Sequence, residues 1–184
     1  MTKMAMSEEE ALENINELYH DELFEEALIE CDQLLASAQD VIIKAHVWRR
    51  IGDCKHQLKR YPEALEAYRQ GLSLRTGDPF TTSLIYLSQA LTYQELHHFD
   101  KAQTAFEKAL DLAVDSEDIE YIKVFWEEML FAMEEEMTEA DLAQRKNVVG
   151  GELKKAYRNL VKAGAPTKTS LDPLDWTGKP VLKA

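Results

Sequence analysis

The chain has 184 residues, 45% of them hydrophobic, and a formal net charge of −13. That length and apolar content bury one sizeable core and argue against several independent domains. The negative charge excludes general affinity for nucleic acid or anionic membrane, both of which need positive charge at the contact, and it favours basic or apolar partners.

No window approaches the roughly 18 apolar residues that span a bilayer, and the opening MTKMAMSEEE has no apolar core of a leader, so a cytoplasmic protein is expected. Cys31 and Cys54 fall inside amphipathic patterns and read as reduced core thiols rather than a disulfide. The charge is uneven. Residues 1–150 carry 14 Lys and Arg against 31 Asp and Glu, whereas residues 151–184 carry 7 against 3. An acidic body ends in a basic tail.

In chain order, Ser7 and Glu10 form a capping-box pattern that opens a helix over 8–20. Amphipathic patterns predict further helices over 24–37, 41–59 and 62–75. In RTGDP, at 75–79, Gly77 stands just past a helix and Pro79 falls in the connection. Helices follow over 81–97 and 99–114, then a longer one over 117–136 with Ile122, Phe125, Trp126, Met129 and Met133 on one face. Its partner runs from Thr138 to about Asn147, and Gly150–Gly151 is expected to break it. A capping helix over 151–163 then carries Leu153, Ala156, Tyr157, Leu160 and Val161 at helical spacing.

The domain therefore spans 1–163, and residues 164–184 form an extended or disordered basic tail with three prolines and two lone anchors, Leu174 and Trp176. Two readings of the tail stand: a free terminus, or a tethered ligand that folds back on the acidic body or reaches a neighbouring copy.

Three stretches share one arrangement: LFEEALIECDQLL at 23–35, RYPEALEAYRQGL at 60–72 and HFDKAQTAFEKAL at 98–110. In each an aromatic stands three residues before an alanine, and Ala27, Ala64 and Ala102 are spaced 37 and 38 residues apart. Two helical patterns per unit at this period mark a helical repeat array, in which each unit buries its apolar faces on its neighbours.

The residues themselves resemble the tetratricopeptide repeat family. The best copy has Trp48, Ile51, Gly52, Tyr61, Ala64, Tyr68 and Gly71 at the family's pattern places, and the third has Tyr86, Ala90, Tyr93, Phe99, Ala102, Phe106 and Ala109. The first copy is weaker, with Ala11, Ile15, Leu18, Phe24, Ala27 and Cys31. The resemblance covers roughly residues 8–114, with repeats about 8–37, 41–75 and 81–114 and a degenerate fourth over 117–147. It implies an all-α fold, a right-handed superhelical array of antiparallel helix pairs closed by the C-terminal capping helix.

The resemblance also implies a concave groove lined by the first helix of each unit. The inward places hold Asn16, Tyr19 and His20 in the first unit, His46, Arg49, Asp53, His56 and Gln57 in the second, and Leu84, Leu87, Leu91, Gln94 and Glu95 in the third. Such a mixture suits an extended or helical peptide. The leucines have an alternative reading, packing against the helix of the fourth unit. Relatives that hold the acidic tails of heat-shock chaperones use a clamp of lysines, arginines and asparagines. Asn16 matches one clamp place, but Leu12, Arg50, Leu84 and Ser88 occupy the others, so that ligand is disfavoured.

Enzymatic motifs are lacking. There is no Gly-rich phosphate loop, GxSxG or HExxH, and the histidines are not spaced as metal ligands, so no catalytic residue, metal or cofactor is expected. Glu134, Glu135 and Glu136 read as a solvated helix end, and Met129, Met133 and Met137 as adaptable core or interface. The expected function is a non-enzymatic interaction module, an adaptor or chaperone that takes a partner's peptide in its groove. The alternative is a self-assembling scaffold in which the tail or the C-terminal apolar face docks on another copy.

Overall fold

The computed structural model describes residues 6–133 and 138–163. The tail expected over 164–184, Glu134, Glu135, Glu136 and Met137 lie outside the described residues, as do the side chains of Met129, Met133, Tyr157 and Leu160. Among the described residues every regular element is helical: α1 (Glu8–His20), α2 (Phe24–Ser37), α3 (Val41–Gln57), α4 (Tyr61–Ser73), α5 (Pro79–Glu95), α6 (Phe99–Asp111), α7 (Ser116–Met133) and α8 (Glu139–Ala163). The chain divides into two compact units, Met1–Ala105 and Phe106–Ala184.

Helix starts follow from side-chain caps. Ser7 and Glu10 complete the capping box of α1, with bonds of 3.1 and 2.8 Å. Asp40, Asp78 and Asp115, spaced 38 and 37 residues apart, place carboxylates on the first free N–H groups of α3, α5 and α7. Thr138 does the same for α8 through the Asp141 N–H.

The turn inside each helix pair also repeats. Glu22, Lys59 and His97 adopt left-handed backbone with φ of 61°, 58° and 57°, at intervals of 37 and 38 residues. Each turn closes with two backbone bonds of the Schellman type: Leu23 N–H to Leu18 and Glu22 N–H to Tyr19, Arg60 to Lys55 and Lys59 to His56, His98 to Tyr93 and His97 to Gln94. The period read from the alanines is thus a period of backbone geometry. None of the three positions is glycine, so each turn is held by packing of its helices rather than by local preference.

In the first unit, successive helices pack as pairs and as a stack: α1 on α2, α2 on α3, α3 on α4 and α4 on α5, with α1 on α3 and α3 on α5. This is a helical-repeat solenoid. Ala27, Ala64 and Ala102 are each 0% exposed, which explains why the repeat keeps a small residue there. Ile15, Cys31, Leu34, Ala38, Ile43, Val47, Ile51 and Ala67 form one core cluster, with Trp48 packed half-buried at its side. Ala45, Ala64, Tyr68 and Ile85 form the next. Cys31 and Cys54 are free and buried, and burial pushes both thiols up, Cys54 to about 12.

In the second unit, α7 packs on α8. Ile119, Ile122, Trp126 and Leu130 are buried along one face of α7, and the Phe106 and Trp126 rings lie 4.6 Å apart. The expected break at Gly150–Gly151 does not occur: α8 runs through it for 25 residues, so the separate capping helix is the C-terminal half of one long helix. The physical reason is burial. Val149 and Leu153, four apart and both 0% exposed, outweigh the roughly 1 kcal/mol that each glycine costs a helix interior. A Cβ at either glycine would meet nothing within 4 Å. Gly151→Ala is therefore expected to stabilise the protein by about 1 kcal/mol, measurable as a higher urea midpoint; an unchanged or lower midpoint would show that the glycine is required.

Candidate peptide-binding face

Hydrogen bonds between alternate helices fix how α1, α3 and α5 lie. The Glu8 carboxylate accepts from the N–H groups of Gln39 and Asp40 at 2.7 and 3.1 Å, which ties the start of α1 to the start of α3. His46 and Thr81 meet at 3.0 Å near the starts of α3 and α5, and His56 and Thr92 at 2.9 Å near their ends. The three helices therefore run parallel and in register, and like places of successive repeats stand side by side.

Arg50 and Asp53 form the hub of this face. Arg50 donates to Asn16 Oδ1 from Nε (3.0 Å) and Nη2 (2.6 Å), and its guanidinium carbon lies 4.2 Å from the centre of the Tyr19 ring. Asp53 accepts from Arg49 Nη1 at 2.8 Å, Arg50 Nη1 at 3.5 Å and the Tyr68 hydroxyl at 3.0 Å. Arg50 and Asp53 are each 8% exposed, so their charges persist only because they are paired. Burial and the neighbouring Arg49 push the Arg50 pKa down, and Asp53 pushes it back up. Gln57 donates to the Tyr19 hydroxyl at 3.2 Å, and the Tyr61 hydroxyl donates to Glu95 at 3.4 Å.

The two histidines are wired alike. Thr92 donates its hydroxyl proton to the Ser88 carbonyl, which assigns the shared proton with His56 to Nδ1 and leaves Nε2 as an acceptor. The Thr81 hydroxyl meets His46 Nε2, and the Thr81 N–H donates to the Asp78 carboxylate at 2.7 Å.

Burial lowers the pKa of both imidazoles; Arg49 lowers His46 further, whereas Glu95 and Asp53 partly restore His56. The folded protein thus binds these protons less readily than the unfolded chain. Their contribution to stability is present above the unfolded value of about 6.5 and is lost as pH falls through it. Urea midpoints at pH 7.5 and 5.5 should differ in that direction, and the difference should shrink in His46→Gln and His56→Gln.

Of the residues predicted for the groove, Asn16, Tyr19, His46, Arg49, His56, Leu84, Leu91 and Gln94 are half-buried, and His20, Gln57 and Glu95 are exposed. Asp53 is buried as the hub, and Leu87, at 3% exposure, is a core residue beneath the face. The structure joins Asn16 to the hub through Arg50, and Tyr19 to Gln57. Sequence reasoning missed Thr81, Thr92 and the central role of Arg50. Their signal was spacing: Thr81 and Thr92 follow His46 and His56 by 35 and 36 residues, close to the repeat period. Two buried polar atoms here have no hydrogen-bond partner, Arg49 Nε and Gln94 Oε1.

Among the described residues no helix is long and apolar enough to cross a membrane, and no group of three or more His, Cys, Asp or Glu side chains is placed to hold a metal ion. A search of the curated proteins and of the solved structures returns no match. Residues 43–113, from α3 through α6, match the family model of the tetratricopeptide repeat, whose members generally mediate protein–protein interaction. The buried alanines and the recurring turns agree with this match, and residues 43–113 are similar to the tetratricopeptide repeat family.

Proposed function

We propose that the protein is a non-enzymatic adaptor or chaperone that binds a peptide segment of a partner protein across α1, α3 and α5. The observation that carries this reading is the common register of α1, α3 and α5, which sets the half-buried polar groups Asn16, Tyr19, His46 and His56 on neighbouring helices. Main-chain carbonyl and N–H groups of an extended peptide can pair with half-buried polar groups of this kind. Asn16 retains its amide N–H groups once Oδ1 is committed to Arg50, and His46 and His56 each keep one ring nitrogen outside their bonds to threonine. Arg49 and Arg50 stand against Asp53 and Glu95, so the face is balanced in charge and suits a segment held through its main chain and apolar side chains.

Arg49 and Leu87 are poor sites for testing this, because one is paired to the hub and the other is core. His20, Gln57 and Glu95 are exposed and alter the face without touching the core. The triple variant His20→Ala, Gln57→Ala, Glu95→Ala is expected to keep its circular dichroism spectrum and urea midpoint and to lose the partner that the intact protein recovers in a pull-down. Recovery of the same partner by both proteins rejects the reading.

A further inference from the structure

The described part of the second unit carries an exposed apolar stripe. On α7, Tyr121, Val124 and Phe131 are 47%, 49% and 77% exposed, although Ile119, Ile122, Trp126 and Leu130 bury the helix's other face. Spacings of three and seven residues set the three on one side of a helix. The capping aspartates supply the register. Stepping by the 37 residues from Asp78 to Asp115 carries Leu84 to Tyr121, Leu87 to Val124 and Gln94 to Phe131. The stripe therefore occupies places that in α5 were predicted for the groove set, with Phe131 standing where α5 has Gln94. A phenylalanine and its apolar neighbours at such exposure mark a surface made to be covered.

Charge and chain length say what covers it. Helix α7 carries Glu117, Asp118, Glu120, Glu127 and Glu128 against Lys123 alone. Residues 164–184 hold three lysines against two aspartates, and they combine Leu174 and Trp176 with prolines that favour an extended chain. Helix α8 packs on α7 and ends at Ala163. The 21 residues beyond it reach up to about 70 Å when extended, against about 27 Å for the 18 residues of α7. We propose that residues 164–184 of the same chain dock along the Tyr121, Val124 and Phe131 face of α7, as a tethered peptide ligand anchored by Leu174 and Trp176. The inference rests on the repeat register and is independent of the reading given for α1, α3 and α5.

Hydroxyl-radical footprinting of the full-length protein tests it. In Leu174→Asp, Trp176→Asp, oxidation of Tyr121 and Phe131 should rise several-fold over the unsubstituted chain, and the protection in the latter should survive tenfold dilution. Equal labelling of the two proteins overturns the proposal. Protection that disappears on dilution overturns it as well, because a second copy is then the cover. The reciprocal variant approaches from the other side: Phe131→Asp, at a site outside the core, should speed tryptic cleavage after Lys168, and an unchanged rate contradicts docking.

Discussion

Gly52→Ala is expected to destabilise the protein by about 3 kcal/mol, even though alanine is the better helix former by about 1 kcal/mol. A Cβ at residue 52 would stand 2.2 Å from Cε1 and 2.6 Å from Cδ1 of Tyr68. That ring is 1% exposed and packs with Ala45, Ala64 and Ile85, so it has nowhere to go. Displacing it also stretches the bond from its hydroxyl to Asp53, a hydrogen bond to a charged group. Thermal unfolding should show a drop of about 10 °C or more for a unit of this size. Gly71→Ala is the control. Its nearest neighbour is the flexible tip of Ile85, Cδ1 at 3.1 Å, and its effect should lie near zero. If Gly52→Ala matched Gly71→Ala, close approach of α3 and α4 would not be what the glycine provides. A double-mutant cycle with Tyr68→Leu should recover part of the loss.

Asp53→Ala should cost about 3–5 kcal/mol, because it strands charge rather than merely removing a contact. Arg49 and Arg50, with side chains 18% and 9% exposed, would be left beside each other without their shared carboxylate, and Tyr68 without its acceptor. Asp53→Asn should cost clearly less, since its amide oxygen still accepts from Tyr68. The ordering Ala worse than Asn, read from urea midpoints, is the specific expectation; equal losses would mean that packing volume rather than the paired charge dominates. Because Arg50 also holds Asn16 on α1, the Asp53 variants should loosen the first repeat, visible as faster amide exchange in α1 than in α5.

Much of the fold was legible in the sequence, and the reasons are local. Ser7 with Glu10 and the aspartate caps announce helix starts, and the aromatic-to-alanine spacing announces the period, because both rest on short-range geometry. Gly150–Gly151 misled for the same reason. Its breaking tendency is a local cost near 1 kcal/mol per residue, and the burial of Val149 and Leu153 that overrides it is tertiary. The face divides likewise. Repeat register assigned Asn16, Tyr19, His46, His56 and Leu87 to one surface; the first four are half-buried, whereas Leu87 is core, since periodicity gives the direction of a side chain and not what stands opposite it. Arg50 was hidden because a buried arginine is identified by its partners, Asn16 and Asp53, which lie 34 residues before it and three after it. The left-handed Glu22, Lys59 and His97 carried no composition signal, none being glycine or asparagine.

The central claim is that the face built by α1, α3 and α5 is where a partner binds. The most direct measurement places a photo-crosslinking side chain at Gln57, on that face, and separately at Glu66, exposed on α4, in otherwise intact protein. The account predicts a partner captured from Gln57, by the same segment each time, and little or none from Glu66. Capture from Glu66 with none from Gln57 would contradict it and move the working surface to the second helices of the repeats.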